Sequence, residues 1–282
     1  MFRLNHLKTE VSAAALALAM LCSVPAARAA GAIDYKKLID QTAPALVTVK
    51  FVLKVQGAAG QREIEREFTG VMIDPQGMVL CSSVQLGTSK LMRRFRGTAT
   101  PTDIKVLVGD DTEGVEAKLI ASDSDLDLSW VQIKKPSDKG YAFVDFSKSR
   151  NVSIGAPLLT ISRMDKFFDR AVVINEGHLG GKTKKPRELL VPTDSLGVTP
   201  GMPIFAKDGS TVGVVVIQSP DPEDMAANPR MAGQSTAVLI LPSDKVIKAT
   251  KRAQATAKED EEDDDEGNAE TKTPPAASKP AG

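Results

Sequence analysis

Thiols and imidazoles are scarce in this chain. It has two cysteines and two histidines in 282 residues, and one of each, Cys22 and His6, falls in the first thirty residues. Those thirty read as a leader rather than as structure: Arg3 and Lys8, an apolar run from Val11 to Val24, then Ala27-Arg28-Ala29 before Ala30, the pattern of a secretory signal with an A-x-A cleavage site. Leu21 before Cys22 is not the small residue a lipoprotein signal needs, so lipid attachment at Cys22 is not favoured. Removal of residues 1–29 leaves Cys81 as the only thiol of a chain bound for the periplasm or the exterior, which excludes an intramolecular disulfide. It also leaves His178 as the only imidazole. One histidine without a cysteine pair excludes the usual zinc-ligand sets, and neither a metal nor an organic cofactor is expected. After the leader no stretch approaches the roughly 20 apolar residues of a spanning helix.

Charge is balanced overall, with 36 bases and 36 acids, but unevenly placed. From Lys258 to Gly282 nine acids stand against three lysines. The body that remains is only mildly basic, too weakly to point to a nucleic-acid partner. The acidic tail, rich in Ala and Pro, lacks the apolar surface to offset its ordering entropy and is expected to be disordered. Between leader and tail, residues 30–257 are long enough to bury a core without staples.

That body reads as mostly strand. An amphipathic helix is predicted over 33–42, ended by Pro44. Strands follow at 45–54 and 63–73 around the turn Gly57–Gly60, then at 78–82, 104–108, 116–121 and 126–133. A second set is predicted at 143–146, 157–161, 170–175, 188–192, 204–206, 211–217 and 236–241. Short β-branched runs separated by Gly, Pro, Asp and Asn at this spacing argue for a sandwich or a pair of barrels. A closing helix over 243–255 has Ser243 as its expected N-cap, with Val246, Ile247 and Thr250 on one face. Two long segments, basic Lys90–Gly97 and Pro-rich Ser219–Gly233, read as surface loops, with partner contact as the sharper alternative.

Four ordered blocks carry a family resemblance. Gly70-Val-Met-Ile-Asp-Pro-Gln-Gly-Met-Val-Leu80 resembles the hairpin signature of the HtrA/Deg proteases. Ala117–Ile133 resembles their catalytic-Asp segment, Thr193–Gly209 their nucleophile loop, and Ala237–Val246 the strand leading into their last helix. The resemblance implies two orthogonal six-stranded antiparallel β-barrels of the chymotrypsin type, the first at about 45–135 and the second at about 143–242. No PDZ domain is expected after Arg252.

Position by position, the resemblance also implies lost chemistry. The general-base position falls on Val84, which cannot accept a proton. Asp127 occupies the place of the orienting carboxylate, but without an imidazole it has nothing to orient. In Thr199-Pro200-Gly201-Met202-Pro203-Ile204 the family's Ser-Gly-Gly is missing, so Met202 stands at the nucleophile position. With the serine goes the glycine turn whose amides form the oxyanion hole, each donor of which contributes a factor of roughly 10² to 10³.

Three functional readings follow. The first is an exported, inactive protease homologue that acts by binding a protein or peptide; an open pocket at Gly201–Pro203 would favour peptide binding there, and a cleft plugged by Met202 would favour binding elsewhere. The second is a peptidase with an unconventional site, pairing Cys81, or one of Ser82, Ser83 and Ser195, with His178, which the family template places on a loop away from the cleft. The third is an envelope scaffold that assembles through its acidic tail.

Overall fold

The described residues form twelve strands, some alternating between core-facing and solvent-facing side chains and others, such as Met78–Cys81 and Pro203–Ala206, buried throughout. In a computed structural model, residues 34–57, 60–89, 98–220 and 236–269 are described. The leader, the basic segment 90–97, most of the Pro-rich loop, and residues 270–282 lie outside them. Helix α1 (Tyr35–Thr42) buries Leu38 and Thr42 and passes into a 3-10 turn at Ala43–Ala45, where Pro44 lacks the N–H a longer helix needs.

The first barrel contains β1 (Leu46–Gly57), β2 (Gly60–Met72), β3 (Met78–Cys81), β4 (Thr98–Leu107), β5 (Val115–Asp123) and β6 (Leu128–Ile133). It closes in the order β1-β2-β3-β6-β5-β4, all pairs antiparallel. The second contains β7 (Pro157–Arg163), β8 (Val172–Lys182), β9 (Leu190–Pro192), β10 (Pro203–Ala206), β11 (Thr211–Gln218) and β12 (Ala237–Pro242), closed as β10-β11-β12-β9-β8-β7. The chain thus has the expected pair of six-stranded antiparallel barrels, a chymotrypsin-like fold. Closure leaves no open sheet edge in either barrel.

Several boundaries differ from expectation. The strand predicted at 143–146 is not one: Val144 and Phe146 are buried, which mimics a strand pattern, but only Val144 N–H meets a neighbouring strand, at Met72 O, 2.9 Å. The segment is an extended link between barrels. Strand β8 runs to Lys182 rather than Asn175, because Gly177 and Gly181 sit in register beside other strands and Gly180 forms a bulge between them instead of a turn. Gly177 has Leu196 backbone 2.8 Å from where a Cβ would lie, so glycine here permits close packing.

Helix α2 (Ser83–Leu86) is a single turn capped by Ser82 and stopped by Gly87 in the left-handed region, at φ 81°. The closing helix α3 spans Ser243–Ala269, past the expected end near 255 and into the acidic segment expected to be disordered. From Ala253 to Glu266 that segment holds strong helix formers, with no glycine or proline before Gly267. Its first half buries Val246, Ala249 and Ala253 against β5, β11 and β12, while Trp130 Nε1 donates to Thr250 Oγ1 at 3.0 Å. Ser243 does not cap it. The residue is already helical and its buried hydroxyl has no hydrogen-bond partner. Among the described residues no helix is long and apolar enough to cross a membrane.

The two barrels are tied at Arg163 in β7, whose guanidinium donates to Leu46 O at 3.1 Å and Ala43 O at 3.0 Å at the entry to β1. Strands β11 and β12 approach each other so closely at Gly213 that an added Cβ would lie 2.1 Å from Leu241 O. Gly213→Ala is expected to cost about 3 kcal/mol or more, since the obstructing atom is backbone and cannot swing aside. Denaturant unfolding monitored by Trp130 fluorescence checks this.

Candidate functional site

The site is built around one buried carboxylate. Asp127 sits at the mouth of β6, 1% exposed, in the left-handed region at φ 58°. A tight turn delivers it there: Asp123 Oδ1 accepts from Asp125 N and Leu126 N, at 3.1 and 3.0 Å. Short polar Asp tolerates left-handed backbone better than most residues.

Four donors converge on it. Ser82 Oγ donates at 2.8 Å to Oδ1, with Oδ2 3.0 Å away, and Ser83 Oγ donates to Oδ1 at 3.0 Å. Val84 N–H reaches Oδ1 at 2.9 Å, and Ile217 N–H, from β11 of the other barrel, reaches Oδ2 at 2.8 Å. Ser82 has a second task, accepting from Gln85 N at 3.4 Å as the cap of α2. Burial pushes the Asp127 carboxyl above its ordinary range, and the donors oppose that shift without cancelling it. The role of Ile217, and of Ser82 and Ser83 as donors, is absent from the sequence reading. The question that finds the serines is what satisfies a buried carboxylate once valine has replaced its imidazole.

The shortened loop lies directly against this cluster. Gly201 adopts φ +85°, and a Cβ there would lie 3.1 Å from Ser82 N. Only glycine allows that approach. Gly201 N–H donates to Val215 O at 2.8 Å and Met202 N–H to Thr199 O at 3.2 Å, while Val215 N–H returns to Met202 O at 2.9 Å. Pro203 has no N–H to offer. Met202 is fully buried, at 0%. The backbone at this turn therefore bonds to itself and to β11, with no pair of amides directed at a ligand.

Val84, Asp127 and Met202 thus come together at the junction of the barrels, with Cys81, Ser82 and Ser83. These last three are all buried, and none has His178 as its partner. The Cys81 thiol donates to Ser129 O at 3.4 Å, and burial, with Asp127 nearby, pushes it far above the usual thiol range, the opposite of what a nucleophile needs. His178 is exposed within β8, not on a loop, paired with Pro157. Its backbone amide, not its imidazole, donates to Thr193 Oγ1 at 3.0 Å, which lies 3.0 Å from Ser195 Oγ. Ser195 is therefore near His178, on the outside of the second barrel. Among the described residues no three His, Cys, Asp or Glu side chains converge as a metal site.

Residues 68–214 match the family model described as the trypsin-like peptidase domain, just over half of the chain. The chain belongs to that family. No curated protein matches it in sequence. Solved structures it resembles include Deg5, at 18% identity and TM-score 0.50, with 76% of this chain and 90% of that one covered. Another is the MamO protease domain from Magnetospirillum magneticum in its apo form, at 14% identity and TM-score 0.47, covering 74% and 97%. The Deg5 likeness is one of fold.

Within this trypsin-like domain, Asp127→Asn is expected to lower stability by about 1–3 kcal/mol at neutral pH, because either orientation of the amide turns an NH₂ toward Val84 N–H or Ile217 N–H. A carboxyl raised in the fold is protonated in the native state before the unfolded one. Wild-type stability therefore gains as pH falls through the raised value toward the ordinary carboxylate range, and the deficit of Asp127→Asn widens over that window. Urea unfolding of both proteins across that pH range reads the difference.

Proposed function

We propose that this protein is an exported homologue of the HtrA-type proteases that no longer hydrolyses peptides and acts by binding a protein or peptide partner. One observation carries the proposal: at the turn where a trypsin-like enzyme presents its nucleophile and oxyanion hole, the Gly201 and Met202 amides are held by Val215 O and Thr199 O, and the buried side chain is a methionine. An oxyanion hole needs donors aimed at the developing charge, and donors already bonded within the fold supply none.

Two further features support it. Asp127 has four donors, none of them an imidazole, so no proton relay leads away from it. Ser82 and Ser83 are fully buried, which denies a substrate carbonyl access to either hydroxyl. The leader motif at Ala27–Ala29 supports export. Binding without turnover is the use left to a chymotrypsin-like fold in this condition, and surface loops at barrel rims are the usual place for it.

The test is labelling of the purified protein with a fluorophosphonate probe beside a casein and mixed-peptide assay, with Ser195→Ala as control. No labelling is expected, and no turnover above that of the control. Turnover that disappears in Cys81→Ala or His178→Ala would replace this reading with an unconventional hydrolase.

A further inference from the structure

We propose that the outer edge of β2 is a docking strand: it takes an extended segment of another protein as an added antiparallel strand, one with two acidic residues four positions apart and an apolar residue midway. The first barrel is closed, but β2 pairs with β3 only at Val71 and Met72, while its ladder with β1 continues back to Gly60. Gly60–Thr69 therefore runs past the closure with one side open. Alternate residues of an antiparallel strand turn their N–H and C=O groups away from the partner strand. Ile73 N–H, just past β2, donates to Met78 O at 2.8 Å on the β3 side, and the unbroken register with β1 carries that alternation back. Gln61, Glu63, Glu65, Glu67 and Thr69 thus face outward, and among the described residues nothing takes their backbone groups.

The opposite edge of the same ribbon shows what protection looks like. Exposed edges are blunted by proline, by bulges or by charge. Strand β4 has Pro101 opposite Leu53 and a bulge opposite Phe51, where Asp103 adopts φ 51°. The β2 edge has neither, and it is exposed from Gly60 to Arg66. It is charged instead, in a pattern that rejects a second copy of this chain. Directly opposite residues of an antiparallel pair share a face, and a two-fold axis through the sheet leaves each residue on its own face. Two copies can therefore meet only with odd positions against odd and even against even. Registers that overlap the charged stretch set Glu63, Glu65 and Glu67 against one another, and the one centred on Ile64 adds Arg62 against Arg66. Like charges directly opposite are destabilising, so the edge is open to a different strand and closed to its own.

The two faces of the edge decide which strand fits. On one, Glu63, Glu65 and Glu67 already lie against Lys54, Lys50 and Arg170, at 3.5, 3.8 and 3.6 Å. On the other, Arg62 and Arg66 make no ion pair among the described residues and flank Ile64, which is 37% exposed. A complementary strand places acids opposite the two arginines and an apolar side chain opposite Ile64. The chain's own acidic stretch, Glu259–Glu266, has no apolar residue among its acids and belongs to α3, so it is not the occupant. The proposal deepens the reading of this protein as one that binds a protein or peptide and rests on that part of it alone, since it uses nothing of the Asp127 cluster.

The experiment is a titration of the ¹⁵N-labelled full chain with acetyl-Thr-Glu-Thr-Val-Thr-Glu-Thr-amide, with its lysine-for-glutamate counterpart, and with a form N-methylated on the two inner threonines. Saturable shifts centred on the amides of Glu63, Glu65 and Glu67 are expected with the glutamate peptide. The lysine peptide should bind about tenfold more weakly, because it sets like charges opposite both arginines. The N-methylated form should not bind, since its inner threonines are the residues that would bond to Glu63 and Glu65. Arg62→Gln and Arg66→Gln should each weaken binding about threefold. Glu65→Pro should abolish it, because proline there removes an outward N–H and leaves the β1 ladder intact. Absence of saturable shifts, shifts confined to other strands, or equal binding of the lysine or N-methylated peptide would overturn the site. That failure would leave a binding protein whose partner sits elsewhere, whereas turnover in the protease assay would remove the loss of hydrolysis and leave these shifts in place.

Discussion

A carboxylate between two barrels is the constraint on which the rest of this molecule depends. Burying an ionised Asp without a cation is unfavourable unless donors replace the water it loses. Asp127 obtains them from both sides of the junction: Ser82, Ser83 and Val84 from the first barrel and Ile217 from the second. The first barrel alone leaves Oδ2 with only the longer branch of the Ser82 bond, and Ile217 N–H supplies its shorter partner, so the docked arrangement is the one in which the charge is best tolerated. This gives Asp127 a structural task that needs no imidazole. It also explains the two serines before Val84, since hydroxyls supply the donors a lost ring would otherwise leave wanting.

The shortened loop follows from the same junction. Gly201 can approach Ser82 N only because it has no Cβ, and that approach brings Met202 into full burial beside the cluster. A methionine fills irregular gaps well because its thioether chain is unbranched. Once the turn bonds to Val215 O and Thr199 O, the floor of the former cleft becomes packed interior. Restoring an oxyanion hole would therefore require longer backbone as well as a serine.

Strand content was legible in the sequence from short β-branched runs between turn residues, with alternation plain in Val47–Phe51, whereas the pair of barrels was legible only through the family resemblance. The Phe143–Phe146 link was misread because two buried residues at alternate positions look the same whether or not a neighbouring strand accepts the backbone. His178 was placed on a loop by the family template, whereas the glycines on both sides allow β8 to continue past it and pack closely against Leu196 and Val191. Val84, Asp127 and Met202 could be aligned from sequence, yet their physical partners could not. The Ile217 amide and the hydroxyls of Ser82 and Ser83 are joined to Asp127 by contacts spanning up to 90 positions, and no local pattern encodes those. The unpaired Ser243 hydroxyl was hidden for a related reason: a serine at a helix start reads as a cap, and only coordinates show that it bonds to nothing.

Helix α3 connects these observations. It begins on the second barrel at Pro242, and a turn or two later Thr250 receives the Trp130 indole N–H of the first barrel, while Arg252 faces Asp123 at 3.6 Å. Asp123 in turn holds the turn that presents Asp127. The start of α3 and the carboxylate at the junction are therefore the two ends of one chain of contacts, carried by a helix and a turn. A ligand entering the sealed seam would have to displace Met202 from the core, and burial of a methionine side chain stabilises by roughly 1.5–3 kcal/mol, so entry there begins at that disadvantage.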